Sequence, residues 1–140
     1  MSAPQSPCLL VRPEQIAPFS RGAGVTTLPY VGKWNSTESS LTTGITVFAP
    51  ATGIPLHTHN VEECVLVLDG QATVTIGDDT FDIDAGVSSW VPAGVPHRFV
   101  NRGASRMRIY WVYGGLAVTR TICATGETFE HLSDKDRGNT

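Results

Sequence analysis

The sequence predicts an all-β protein with little helix, either a sandwich or a closed barrel. Three observations carry that reading. About ten short apolar or alternating runs follow one another at the spacing of strands, each bounded by turn residues. Fourteen glycines and nine prolines punctuate the 140 residues. The charged fraction is 16%, below the quarter usual for globular domains. There is no internal repeat or heptad pattern, and no helix longer than a turn or two is expected before residue 125.

In chain order, residues 1–24 read as an arm. It is polar and proline-rich up to Pro7, then has a short strand over Leu9 to Arg12 and one helical turn over Arg12 to Ile16, with Pro13 at its first position and Pro18 as its stop. A barrel domain is expected over residues 25–124. Val25 to Tyr30 opens it, and a Ser/Thr-rich loop from Val31 to Ser40 follows, in which Trp34 is the one conspicuous apolar residue. Such a tryptophan would cap a pocket, meet another subunit or cover the end of the barrel. Strands are then expected at Leu41 to Ala49, Pro55 to His59, Glu62 to Leu68 and Gln71 to Ile76. After a Gly77-Asp78-Asp79 hairpin come Thr80 to Asp84, Ser88 to Val91, Pro96 to Val100, Arg106 to Tyr113 and Leu116 to Ala124. Asp82 and Asp84 alternate with Phe81 and Ile83 and read as a solvated face. In the strand from Arg106, the arginines share parity with Tyr110, so Met107, Ile109, Trp111 and Tyr113 face inward. Residues 125–140 read as a polar, solvated tail; Glu127, Glu130 and His131 are its candidates for reaching the barrel mouth.

Chemistry concentrates around His57-Thr58-His59 and Glu63. On an extended strand side chains alternate between faces, so His57 and His59 converge while Thr58 points away. Glu63 shares parity with Val65 and Val67 and faces the core if they do. Two buried imidazoles and a buried carboxylate are costly without partners, and one divalent cation satisfies all three. His97 can supply a fourth ligand from the opposite wall. Cys64 alternates with Glu63 and reads as a small buried hydrophobe rather than a nucleophile. Ser88-Ser89 has no nucleophile-elbow frame, and no phosphate-binding glycine loop precedes a helix.

These residues sit in two blocks that resemble the two motifs of the cupin superfamily. His57, His59, Glu63 and Gly70 meet H-x-H-x3-E-x6-G, while Gly86, Pro92, Gly94, His97 and Asn101 meet G-x5-P-x-G-x2-H-x3-N. One position departs. The family's leading glycine stands six residues before the first histidine, where this chain has Ala51; Gly53 is the nearest glycine, which implies a shifted local turn and unaltered ligands. The blocks are separated by Gln71 to Ala85, close to the short spacing of small single-domain bacterial members. The resemblance implies a jelly-roll barrel, or double-stranded β-helix, and a homodimer formed through the N-terminal strands and outer sheet.

Three imidazoles and a carboxylate suit Fe(II), which is favoured here, as well as Mn, Co, Ni, Cu or Zn. Four protein ligands leave up to two octahedral positions open, as a catalytic site requires. Three functions follow. The first is a dioxygenase acting on an enolisable, catecholic or other bidentate oxygen compound, with Glu63 as ligand or as catalytic base. The second is a lyase, isomerase or hydrolase using the ion as a Lewis acid. The third is a non-catalytic barrel that binds or senses a small ligand. Trp90, Phe99, Met107, Ile109, Trp111 and Tyr113 would give the substrate pocket an apolar, aromatic lining.

Other classes fit less well. The net charge is -3 and no Lys or Arg run occurs, so a nucleic-acid partner is disfavoured. No apolar run approaches a membrane span and the N-terminus has no signal-peptide pattern. Cys8, Cys64 and Cys123, odd in number and widely spaced, point to reduced thiols. A soluble, cytoplasmic protein is the default expectation.

Overall fold

The computed structural model describes residues 8–138; the expected loose arm up to Pro7 lies outside them. A 3-10 turn at Pro13–Gln15 is followed by twelve strands. β1 (Phe19–Gly22), β2 (Val25–Val31), β3 (Thr42–Phe48), β10 (Met107–Tyr113), β5 (Glu63–Asp69) and β8 (Ser88–Val91) form one sheet in that order. β12 (Thr128–Glu130), β11 (Thr119–Ile122), β4 (His57–His59), β9 (His97–Asn101), β6 (Gln71–Ile76) and β7 (Asp79–Asp84) form the other. All pairings are antiparallel. Two antiparallel sheets that share one interior are the architecture of a jelly roll.

Alternation fixes which side chains enter the interior. β10 buries Met107, Ile109, Trp111 and Tyr113 and leaves Arg108, Tyr110 and Val112 half-buried on the other face, as its parity predicts. β5 does the same with Glu63, Val65 and Val67. All of these inward residues except Glu63 join Val25, Phe48, Val74 and Phe99 in one core cluster. Phe48 and Met107 are fully buried, and each contributes about 2–3 kcal/mol by the area it removes from water.

The fixed residues of the two sequence blocks hold the frame. Gly70 has φ 89, and a Cβ there would lie 2.8 Å from the Met107 Cα, so the turn between β5 and β6 admits no side chain. Asn101 is buried; its Nδ2 donates to the carbonyls of Phe48 and Ser105, and its Oδ1 accepts from the Gly103 amide. Ala51 itself takes the left-handed conformation, φ 63. At the motif's glycine position alanine thus occupies the conformation that glycine adopts at least cost. Gly53 serves close approach instead, bridging to Val100, where a Cβ would meet the Val100 side chain at 2.9 Å.

Several expectations are corrected. Leu9 to Arg12 is not a strand; the first strand is Phe19–Gly22. Residues 125–138 are not a solvated tail. Thr128–Glu130 adds an edge strand to the second sheet, His131 is buried, and Asp136, in the 3-10 turn Asp134–Asp136, has no exposed surface. β7 is exposed almost throughout, Phe81 included, because an edge strand paired to β6 alone has little to pack against. Cys64 is exposed: facing away from Glu63 puts it outside the sandwich, not in a second core. Trp34 is 42% exposed and folds over its own loop, its indole donating to the Tyr30 carbonyl and its ring covering Gly32. Among the described residues no helix is long and apolar enough to cross a membrane.

Candidate metal centre

The two sheets bring their chemistry to one interior point. His57 on β4 is directly opposite His97 on β9, and directly opposed residues project to the same face. His59 follows two residues after His57 and shares that face. Glu63 comes from the other sheet, opposite Tyr113. All four are at most 5% exposed.

Each imidazole is oriented from behind. Nδ1 of His57 is 2.7 Å from the Pro55 carbonyl, Nδ1 of His59 is 3.0 Å from that of Thr119, and Nδ1 of His97 is 2.9 Å from that of Val95. A carbonyl only accepts, so each Nδ1 carries the proton and each Nε2 offers its lone pair to the interior. This is the arrangement that fixes tautomer and ring orientation in histidine metal ligands. One ligand atom from each of the three histidines lies within 4.8 Å of the others. Glu63 is outside that mutual set and reaches it through His97, with Oε1 3.0 Å from Nε2.

The contact between His97 and Glu63 has a sharp consequence. Nε2 of His97 is buried and has no well-aligned hydrogen bond, although a carboxylate oxygen stands at 3.0 Å. With the proton on Nδ1, two lone pairs face each other unless a proton or a cation lies between them. Burial opposes a charge on His97, but Glu63 raises its pKa above the usual value and so favours a proton at that contact. Burial likewise pushes the Glu63 carboxyl up, and His97 and His59 more than offset it, so the group is lowered overall. Burial holds His57 well below its usual range, and brings His59 down to about 4 against the pull of Glu63. Two neutral imidazoles and a third facing a carboxylate form a donor set that fits a divalent transition-metal ion.

The cavity beside these groups is small, about 30 Å³, room for a water or two. Phe99, Ile109, Trp111 and Tyr113 line it, and Trp111 is held by an indole bond of 2.9 Å to the Thr46 hydroxyl. The Tyr113 hydroxyl sits 3.2 Å from His59 Nε2; burial and the Glu63 charge push its pKa well up, so it is a neutral donor. Two residues of the expected pocket are elsewhere. Trp90 is 59% exposed on the outer face and donates to Glu62, because in β8 its parity opposes that of Val91. Met107 packs wholly in the core, away from the cavity. The expected apolar lining is also incomplete: Arg21, Arg120 and His131 share the cavity wall. Arg120 is opposite His59 in the sheet, so its parity marks it as inward once that pairing is known; Arg21 and His131 come from segments with no strand signal of their own.

Comparisons with known proteins agree with this architecture. The chain matches the cupin domain family over residues 44–113. Structural neighbours include an RmlC-like cupin from Shewanella frigidimarina, 19% identical over 73% of this chain and 86% of that one, with a TM-score of 0.63. An oxalate decarboxylase from Bacillus subtilis is 18% identical over 80% of this chain, TM-score 0.71, and a 7S globulin from Momordica charantia is 17% identical over 81%, TM-score 0.68. This chain spans only 31% of that decarboxylase and 37% of that globulin. The decarboxylase has Mn(II) centres. No match is found among curated proteins. With two motif blocks whose histidines meet on paired strands and a family match across half its length, the chain belongs to the cupin family.

Proposed function

We propose that this cupin is a metal-dependent enzyme that acts on a small oxygen-rich organic substrate, first of all as a dioxygenase with Fe(II) held by His57, His59, His97 and Glu63. The observation that carries the reading is the fixing of all three Nδ1 atoms by backbone carbonyls, which leaves three Nε2 lone pairs aimed at one buried point. An ion so held would supply oxygen-ligand binding and redox chemistry, with up to two positions left for substrate and dioxygen. The protein's own groups have separate tasks. Glu63, ionised by its neighbours, either stays a ligand or leaves the ion to accept a substrate proton. Trp111, Ile109 and Phe99 exclude water. Tyr113 donates a hydrogen bond to an oxygen that gains charge.

A second reading, a lyase, isomerase or hydrolase with the ion as Lewis acid, is favoured by the pairing of Glu63 with Tyr113. An ionised carboxylate and a neutral hydroxyl on adjacent strands, facing one cavity, are a base and an acid for proton transfer. Oxygen-electrode assays of Fe(II)-loaded protein against small enolisable acids, diketones and catechols separate the two. Substrate-dependent oxygen uptake supports the dioxygenase; turnover without uptake supports the second reading, and binding without turnover supports a sensing barrel.

We also propose a homodimer in a reducing, cytoplasmic setting. Cys64, Leu66 and Trp90 are exposed together on the outer face of β5 and β8, an apolar area suited to a second copy. Light scattering at micromolar concentration tests it, a mass of one chain being the contrary result.

A further inference from the structure

Beside the metal centre, two arginines converge on a single carboxylate. Arg21 Nη1 lies 2.8 Å from Asp136 Oδ1 and Arg120 Nη1 lies 2.7 Å from the same atom; Arg21 Nη1 also donates to the Asp136 backbone carbonyl. The second carboxylate oxygen accepts from the Leu132 amide at 2.8 Å. Arg21, Arg120 and Asp136 are each at most 4% exposed. Arg21 comes from the edge strand of one sheet, Arg120 from a strand near the edge of the other, and Asp136 from the C-terminal turn between them. Two guanidinium groups aimed at one point are a carboxylate site by their geometry, and here both also line the cavity of the metal centre.

The cavity of about 30 Å³ cannot admit even a three-carbon acid, so entry requires part of the wall to move. The C-terminal segment is the part of the wall that lies at a sheet edge. β12 makes three residue pairs, all with β11; beyond it the segment is fastened by the His131 amide on the Val118 carbonyl, by the Asp136 contacts, by the Gly138 amide on the Arg21 carbonyl, and by Arg137, which donates to the Ser20 carbonyl and lies over the Phe19 ring. His131 of this segment is itself part of the lining. Removing Asp136 outright would leave two buried guanidinium groups facing each other, which is costly. Exchanging it for another carboxylate keeps them paired.

We propose that Arg21 and Arg120 form a carboxylate-binding subsite of the metal pocket, that Asp136 is its built-in occupant, and that a small carboxylate substrate enters by taking the place of Asp136 as residues 128–138 swing away. This deepens the metal-enzyme reading above and rests on it for the identity of the neighbouring centre. The substrate is a small acid with its carboxylate on the arginines and a second oxygen group toward the histidines and Glu63. The C-terminal segment is the lid, and Asp136 is its latch. Arg21, and less strongly Arg120 and His131, hold the Asp136 carboxyl down to about 2 although burial pushes it up, so the latch stays charged at working pH.

The test uses malonate as the probe and uncharged malonamide as its control, titrated calorimetrically into the full-length chain, with metal content measured on the same samples. Asp136→Asn removes the competing charge and should tighten malonate binding about tenfold or more, with malonamide unaffected. Arg120→Gln in the Asp136→Asn background strands no buried carboxylate and should abolish the gain. If Asp136 only braces the arginines, Asp136→Asn leaves malonate binding unchanged or weaker, which overturns the proposal. In the wild-type chain, where no variant can misfold, malonate should speed hydrogen exchange at the Leu132 and Gly138 amides relative to malonamide; equal exchange with both overturns the lid. A chain that shows these malonate effects but holds no metal keeps the subsite and loses the metal centre. A chain that holds metal and ignores malonate keeps the centre and loses the subsite.

Discussion

Nε2 of His97 and Oε1 of Glu63 stand 3.0 Å apart in the interior, a histidine from one sheet against a carboxylate from the other, with the histidine's own proton committed to the Val95 carbonyl. Only a proton or a cation makes that approach favourable. Replacing His97 with Ala removes one ligand and leaves Glu63 without its closest partner. Metal retention is expected to fall more than about a hundredfold, while far-UV circular dichroism keeps its β signature. Wild-type metal content in this variant would remove His97 from the ligand set.

The metal-free protein should lose stability on mild acidification. His59 is lowered from 6.5 to about 4, chiefly by burial, and His57 and His131 are lowered well below 6.5 for the same first cause. The unfolded chain therefore takes up protons at these histidines before the folded chain does, and stability present above pH 6.5 is lost as pH falls toward 4. His59 alone is of order 3 kcal/mol. His97 acts in the opposite sense, its raised pKa adding stability below 6.5 that disappears as pH rises, so the net loss is smaller than the sum of the other three. Asp136, lowered from 3.8 to about 2, adds a further loss below pH 3.8. Urea midpoints of chelator-treated protein at pH 7.5 and pH 5 measure the effect; an equal or higher midpoint at pH 5 would contradict it.

Two tryptophans that read alike in sequence should behave unlike each other. Trp111 is 3% exposed, bonded to Thr46 and part of the cavity wall, so Trp111→Ala should cost about 3–5 kcal/mol. Trp90, 59% exposed, should cost within about 1 kcal/mol on the same change and leave metal content unaltered. Chemical denaturation of both variants separates them.

Much of this distinction lay beyond a single-strand reading. Parity within β10 and β5 assigned Met107, Ile109, Trp111, Tyr113 and Glu63 to the interior, because both strands are long and alternate regularly. Over the four residues of β8, Trp90 follows Ser88 and Ser89, and parity had no regular pattern to anchor it. The two sequence blocks located all three clustered histidines, since their spacing reflects strand and turn geometry. Arg21, Arg120 and Asp136 were invisible for a different reason, while His131 had been named only as a candidate for reaching the barrel mouth. Their site is formed by the meeting of a chain-terminal segment with two sheet edges, a relationship more than a hundred residues apart that no local pattern encodes. Polarity of the last residues suggested solvent, whereas Asp136 there pairs with Arg21 and Arg120 in the interior.

Ala51, at φ 63, occupies the left-handed region at the place where the family motif has glycine. Ala51→Gly relieves a strain of about 1 kcal/mol, partly offset by the greater freedom of glycine in the unfolded chain. A rise in the urea midpoint with unchanged metal content is expected; a fall would show that the alanine methyl contributes packing that outweighs its strain.

The central claim is that the three histidines and Glu63 hold one metal ion. Elemental analysis of the wild-type chain, purified without a metal-affinity column, tests it most directly. About one equivalent of a transition metal per chain, released by chelator and restored by Fe(II) or Mn(II), is the expected result. A chain that carries no metal and takes up neither ion on titration would contradict it.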